Sequence, residues 1–102
     1  MSLDIKREYD ETEGRWNVTL CGEVDIENAA CLRAALKEML EQRLSSVEID
    51  IQNLSYIDST GLGVLIGAYG RMKESGAQFR LRRPAKNVEK LLRITSLDRI
   101  FL

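Results

Sequence analysis

Histidine is absent from this sequence, and three other residue classes are scarce: one proline, two cysteines, and 6% Phe, Trp and Tyr together. Without histidine the commonest general base and the commonest metal ligand are both missing, and two cysteines ten positions apart, Cys21 and Cys31, do not make a zinc site. Metal-dependent chemistry and histidine-based hydrolase triads are thereby set aside, and no cofactor is expected. Both thiols fall inside apolar patterns, so they are expected to be buried and free, as in a reducing compartment. Charge of one sign is also lacking. Fifteen Lys and Arg stand against 16 Asp and Glu, and with the basic residues read as scattered there is no electrostatic footprint for nucleic acid or an anionic membrane surface. No apolar run approaches the roughly 18 residues of a membrane span, and Met1-Ser2-Leu3-Asp4-Ile5 lacks the apolar stretch of a secretory signal. The expectation is a cytoplasmic protein that binds neither nucleic acid nor membrane.

What remains is an ordinary globular composition, 102 residues with 44% apolar and 30% charged side chains, enough for one small domain spanning residues 1–102. There is no repeat, low-complexity tract or linker to divide it. Apolar residues recur with period two at Leu3, Ile5 and Tyr9, then, across a Glu13-Gly14 turn, at Trp16, Val18 and Leu20, which predicts a β-hairpin. From Ile26 the period lengthens. Ala29, Leu32, Leu36, Leu40 and Leu44 form the inward face of a helix for which Asp25 is the expected N-cap. Val47, Ile49 and Ile51 predict a third strand ending near Gln52-Asn53. A second helix is expected from about Thr60 to Glu74 with Gly76 closing it, followed by a fourth strand at Phe79 and Leu81. Pro84 ends that strand, Lys86 to Arg93 reads as a third helix, and Arg99 to Leu102 as a short closing strand. Strand and helix in alternation imply parallel pairing through right-handed crossovers. Because the strands alternate and are not apolar throughout, the fold class expected is a small α/β layer, a mixed four- to five-stranded sheet with helices mainly on one face.

The stretch most able to carry function is the joint between the third strand and the second helix, Ser55-Tyr56-Ile57-Asp58-Ser59-Thr60-Gly61-Leu62-Gly63. Asp58, Ser59 and Thr60 all suit a helix start, yet capping needs only one of them and does not account for Gly61, Gly63, Gly67 and Gly70. Each interior glycine costs up to about 1 kcal/mol relative to alanine. A row of glycines lets another backbone approach closely, either the protein's own sheet or a partner; Gly61 and Gly63, beside the hydroxyls, are assigned to a partner. A nucleotide-binding module is the competing reading, but the glycine spacing is one residue too long, the loop follows the third strand, and Gln78 to Arg83 offers no carboxylate for a ribose. Asp25, Asp50 and Asp58 are better explained as caps or solvated strand residues than as catalytic carboxylates.

The segment Ile57-Asp58-Ser59-Thr60-Gly61-Leu62-Gly63-Val64-Leu65 resembles the phosphorylation loop of the bacterial anti-sigma factor antagonists of the STAS domain family. Gly22-Glu23-Val24-Asp25 is similar to that family's Gly-x-x-Asp turn, and Leu91 to Leu97 to its C-terminal helix and turn, with Ser96 where many members carry glycine. The resemblance implies a non-enzymatic regulator whose Ser59 is phosphorylated by a partner that is both serine kinase and anti-sigma factor. Unphosphorylated, the protein would capture that partner and free a sigma factor; a phosphatase acting on phospho-Ser59 would restore it. The same likeness admits a scaffold or transport-accessory STAS domain docking through this loop. Glu23, Asp25, Asp58, Thr60, Gly61, Leu62 and Gly63 are the residues expected to bind the partner, because both joints lie at carboxyl ends of strands and ligands of open α/β sheets favour that edge.

Overall fold

The structure, a computed structural model, describes residues 2–102. Eight elements follow one another: β1 (Leu3–Asp10), β2 (Arg15–Val24), α1 (Ala29–Gln42), β3 (Ser46–Ile57), α2 (Ser59–Ser75), β4 (Phe79–Arg82), α3 (Lys86–Ile94) and α4 (Asp98–Phe101). The strands form one sheet in the order β1-β2-β3-β4. β1 and β2 are antiparallel, whereas β2, β3 and β4 run parallel. The expected mixed sheet therefore has four strands.

Alternation decides which side is covered. Trp16, Val18 and Leu20 of β2, Val47, Ile49 and Ile51 of β3, and Phe79 and Leu81 of β4 all point to the helical side and are buried with Leu32, Leu36 and Met39 of α1 and Leu62, Leu65 and Met72 of α2. The intervening residues make a polar open face. There Glu48 is shared between Arg15 (3.1 Å) and Arg82 (2.8 Å), and the Arg83 guanidinium, hydrogen-bonded to Asp50, holds the Asp50 carboxyl below its ordinary range.

Several expectations are corrected. The closing strand is instead helix α4, because Phe101 turns inward and packs edge-on against Tyr69, with Phe79 tilted beside it, both ring centroids 5.9 Å away. β3 runs five residues past its expected end: two register shifts against β2 change the phase, so that Leu54 and Ile57 face inward where strict alternation would turn Leu54 outward. Leu44 is 63% exposed, since α1 stops at Gln42 and Arg43 turns extended, its carbonyl accepting the Trp16 indole N–H at 3.0 Å. The thiols are free but not buried. Cys21 lies on the open-face phase of β2 and is half-buried, and Cys31, one residue before buried Leu32, faces water. α2 does end as expected, at Gly76 with φ +82°, a left-handed conformation that glycine adopts without cost.

Candidate functional site

The carboxyl ends of β2 and β3 meet side by side. Val24 is in register with Ile57, and the Asp58 N–H donates to the Val24 carbonyl at 3.1 Å. The β2–α1 and β3–α2 joints thus form one rim, and the structure brings together Glu23, Asp25 and Asp58 with the residues that follow Asp58.

At the β3–α2 joint Asp58 is the N-cap of α2, its Oδ1 accepting the Gly61 N–H at 2.9 Å. Capping is thereby satisfied by one side chain, and the task is taken from its neighbours. Ser59, the first residue of the helix, is exposed, and no hydrogen bond engages its hydroxyl among the described residues. Thr60 is half-buried beside it. A helix start carries backbone N–H groups and the positive end of the dipole, so this hydroxyl sits where added negative charge is tolerated by the fold.

The glycines divide sharply. A Cβ on Gly61 would lie 2.6 Å from Val24 Cγ1 and 2.7 Å from Ile57 Cγ1, so the close approach expected of a partner here is made by the protein's own core, and Gly61 is buried. Leu62 is buried as well. A Cβ on Gly63 or Gly70 would meet nothing within 4 Å, and one on Gly67 only the Arg71 guanidinium at 3.9 Å. The sheet does not pack against that row; it opens to solvent on the flank of α2 running away from Ser59. The Gly61 N–H that a phosphate-binding loop would offer a nucleotide is already held by Asp58.

At the β2–α1 joint the expected role of Asp25 is displaced. α1 begins at Ala29 with Asn28 at the cap position, while Asp25, only 8% exposed, closes a turn ahead of it. Its Oδ1 accepts the N–H groups of Glu27 (2.9 Å) and Asn28 (3.2 Å). Asn28 reciprocates: its Oδ1 accepts the Asp25 N–H and its amide donates to the Glu23 carbonyl, both at 2.9 Å. These paired bonds have the pattern of a capping box and lock the turn that leads into α1, one turn ahead of its first residue. Gly22, at φ +106°, has no room for a side chain, since a Cβ would lie 2.3 Å from the Ser2 carbonyl oxygen. Glu23 Oε2 is buried and without a hydrogen-bond partner among the described residues, a costly state for a carboxylate oxygen.

Sequence reasoning missed Asn28, whose signal was its spacing, three residues after Asp25. It also gave no role to Ile26 and Tyr56, which are 75% and 44% exposed, the first next to Asp25 and the second two residues before Asp58.

Fold and joint together define a one-sided α/β domain that displays a hydroxyl at the start of a helix on its sheet edge. The family model described as Mlab, STAS domain matches residues 8–102, and the chain belongs to the STAS domain family. It is similar to the anti-sigma-B factor antagonist of Bacillus subtilis (strain 168), 32% identical over 98 residues that cover 96% of this chain and 89% of that protein. It is also similar to the anti-sigma F factor antagonist of Paenibacillus polymyxa, 29% identical over 98% of this chain and 85% of that protein. Among solved structures, an anti-sigma factor antagonist from Mycobacterium paratuberculosis superimposes with a TM-score of 0.79 at 27% identity, over 98% of this chain and 83% of that one. Among the described residues no group of His, Cys, Asp and Glu is arranged to hold a metal ion, and no helix is long and apolar enough to cross a membrane.

Proposed function

We propose that this protein is an anti-sigma factor antagonist controlled by phosphorylation of Ser59. In the unphosphorylated state it docks a serine kinase/anti-sigma factor on the rim formed by Glu23 and Asp58 with Thr60 and Gly63, held in place by buried Asp25, and so releases a sigma factor. Gly61 and Leu62 support that rim from below. The same partner then transfers a phosphoryl group from ATP to Ser59 Oγ, the hydroxyl proton leaving, and a phosphatase reverses the step by hydrolysis. The protein itself catalyses nothing in this cycle and acts in the cytoplasm, where kinase and sigma factor are.

The observation that carries the reading is the division of labour at the helix start: Asp58 does the capping, and the neighbouring Ser59 hydroxyl is left exposed and unengaged. A phosphate there gains from the helix dipole, roughly 0.3 to 1 kcal/mol at an exposed site. The fold therefore tolerates it. The docking surface does not, because about −1.5 to −2 charges next to Asp58 must be desolvated against the partner, at a cost of several kcal/mol.

The test is to incubate the purified protein with ATP and each anti-sigma factor of its own host, then map phosphate by mass spectrometry. Phosphate on Ser59, absent in Ser59→Ala, is expected. Phosphate on Thr60 or Ser55, or on no residue with any host kinase, would overturn the proposal, the latter in favour of a scaffold that docks without modification. Titration with ATP or GTP in the absence of partner should show no binding; a measurable affinity would instead support a nucleotide module.

A further inference from the structure

The basic residues are less scattered than the whole-chain balance suggests. Residues 78–102 carry seven Lys and Arg against two Asp and Glu, while residues 1–77 carry eight against fourteen. The fold places the start of α3, within the basic segment, and the end of β2 on opposite sides of the end of β3. Ser55, near the end of β3, is bonded from both flanks: its hydroxyl donates to the Gly22 carbonyl on the β2 side (3.1 Å), and its own carbonyl accepts the Asn87 amide N–H (2.6 Å) from the first turn of α3. One flank of the rim therefore carries half-buried Glu23 and exposed Glu27, braced by buried Asp25. The other begins at Lys86 and Asn87, with Lys90 one turn further along α3.

Within the basic segment these two lysines stand apart from most of their neighbours. Arg82 and Arg83 are neutralised by Glu48 and Asp50, and Arg93 by Glu89 and Asp98. Lys86 and Lys90 are exposed, and neither is in an ion pair among the described residues. Lys86 is also misplaced for helix stability, since a cation in the first turn opposes the helix dipole. Its local effect on α3 is unfavourable, so the helix itself gives no reason for it.

We propose that the docking surface around Ser59 is bipolar, with Lys86 and Lys90 of α3 engaging an acidic patch of the anti-sigma factor while exposed Glu27, with half-buried Glu23 beside it, faces a basic one. This rests on the reading of Ser59 as a docking site gated by phosphorylation, and adds to it the chemistry and orientation of the partner. Two patches of opposite sign fix one orientation, because a partner rotated by half a turn would meet like charges on both flanks. Long-range attraction of this kind raises the association rate and weakens as salt screens it.

The experiment measures association and dissociation rates with the host anti-sigma factor that binds the wild-type protein, at low and at physiological ionic strength. The variants are Lys86→Glu/Lys90→Glu, Lys86→Gln/Lys90→Gln and, separately, Ser59→Asp. The charge reversal should slow association tenfold or more at low salt, the neutral pair should fall between it and wild type, and the gap should narrow as salt rises. Because Glu suits the first turn of a helix, the melting temperature of the reversal variant should hold or rise, so lost binding cannot be lost folding. Reversing an acidic residue on the partner to Lys should restore the rate with the Lys86→Glu/Lys90→Glu protein only. Unchanged rates for both lysine variants, with binding still abolished by Ser59→Asp, would overturn the bipolar surface and leave the Ser59 reading standing. Wild type that binds no host anti-sigma factor would overturn both.

Discussion

The two strand-to-helix joints of the rim use the same residue type for different ends. In the β2–α1 joint Asp25 is buried, accepts two backbone N–H groups and is locked by reciprocal bonds from Asn28. In the β3–α2 joint Asp58 is half-buried, accepts one N–H from Gly61 and starts the helix at once. The first joint spends its polar groups on itself and becomes a rigid frame. The second satisfies its helix start with a single carboxylate and leaves the adjacent hydroxyl free. An aspartate before a helix is thus no indication of function; what matters is how much polar capacity its neighbours keep once it has made its bonds.

The contrast breaks most violently at Gly61, which joins the second joint to the core. Gly61→Val drives its Cβ and two further methyl-sized groups into Val24 and Ile57, two stiff β-branched side chains, and unfolding free energy by urea denaturation should fall by about 3 kcal/mol, the upper end of overpacking costs. A loss under about 1 kcal/mol would mean that the joint is looser than its contacts imply. Asp25→Ala takes the acceptor from the Glu27 N–H, weakens the bifurcated bond of the Asn28 N–H, which the Asp25 carbonyl still accepts, and unlocks the paired turn, and should cost about 2 kcal/mol. Asp58→Ala removes a single cap bond and should cost about 1 kcal/mol. The order of these two losses is the direct measure of frame against display; a reversed order would refute the distinction. Smallest in stability is Gly63→Val, two residues from Gly61 but facing open space: folding should change by no more than about 0.5 kcal/mol, while partner affinity falls at least tenfold because the branched side chain occupies the docking face.

Much of this was legible beforehand, for identifiable reasons. The hairpin, the helical face of Leu32 and Leu36, the Gly76 stop and the one-sided sheet follow from period and from single-residue backbone preferences, which act locally. The rim followed from the hexad Asp58 to Gly63 and from the rule that strand ends gather ligands. What escaped depends on relations across the fold. The end of β3 was misplaced because its two register shifts against β2 place extra residues in β3 and change its apolar spacing from two to three at Ile51, Leu54 and Ile57, which breaks the alternation by which a strand is recognised. Asp25 was assigned to the start of α1, yet it closes the turn ahead of that helix, with Asn28 at the cap position. Arg99 to Leu102 looked like a strand because nothing nearby in sequence shows that Phe101 fills the space between Tyr69 and Phe79. Gly61 and Gly63 looked equivalent, since glycine spacing does not say which way a missing side chain would point.

The central claim is that Ser59 belongs to the display and not to the frame, and phosphorylating it tests this most directly. Wild-type protein carrying stoichiometric phosphate on Ser59 should keep its melting temperature or gain up to about 6 °C, the shift that roughly 0.3 to 1 kcal/mol produces in a domain of this size, while its affinity for the host anti-sigma factor drops by at least a hundredfold. A large fall in melting temperature with affinity retained by the remaining folded molecules would show instead that Ser59 holds the fold together, and would contradict the account.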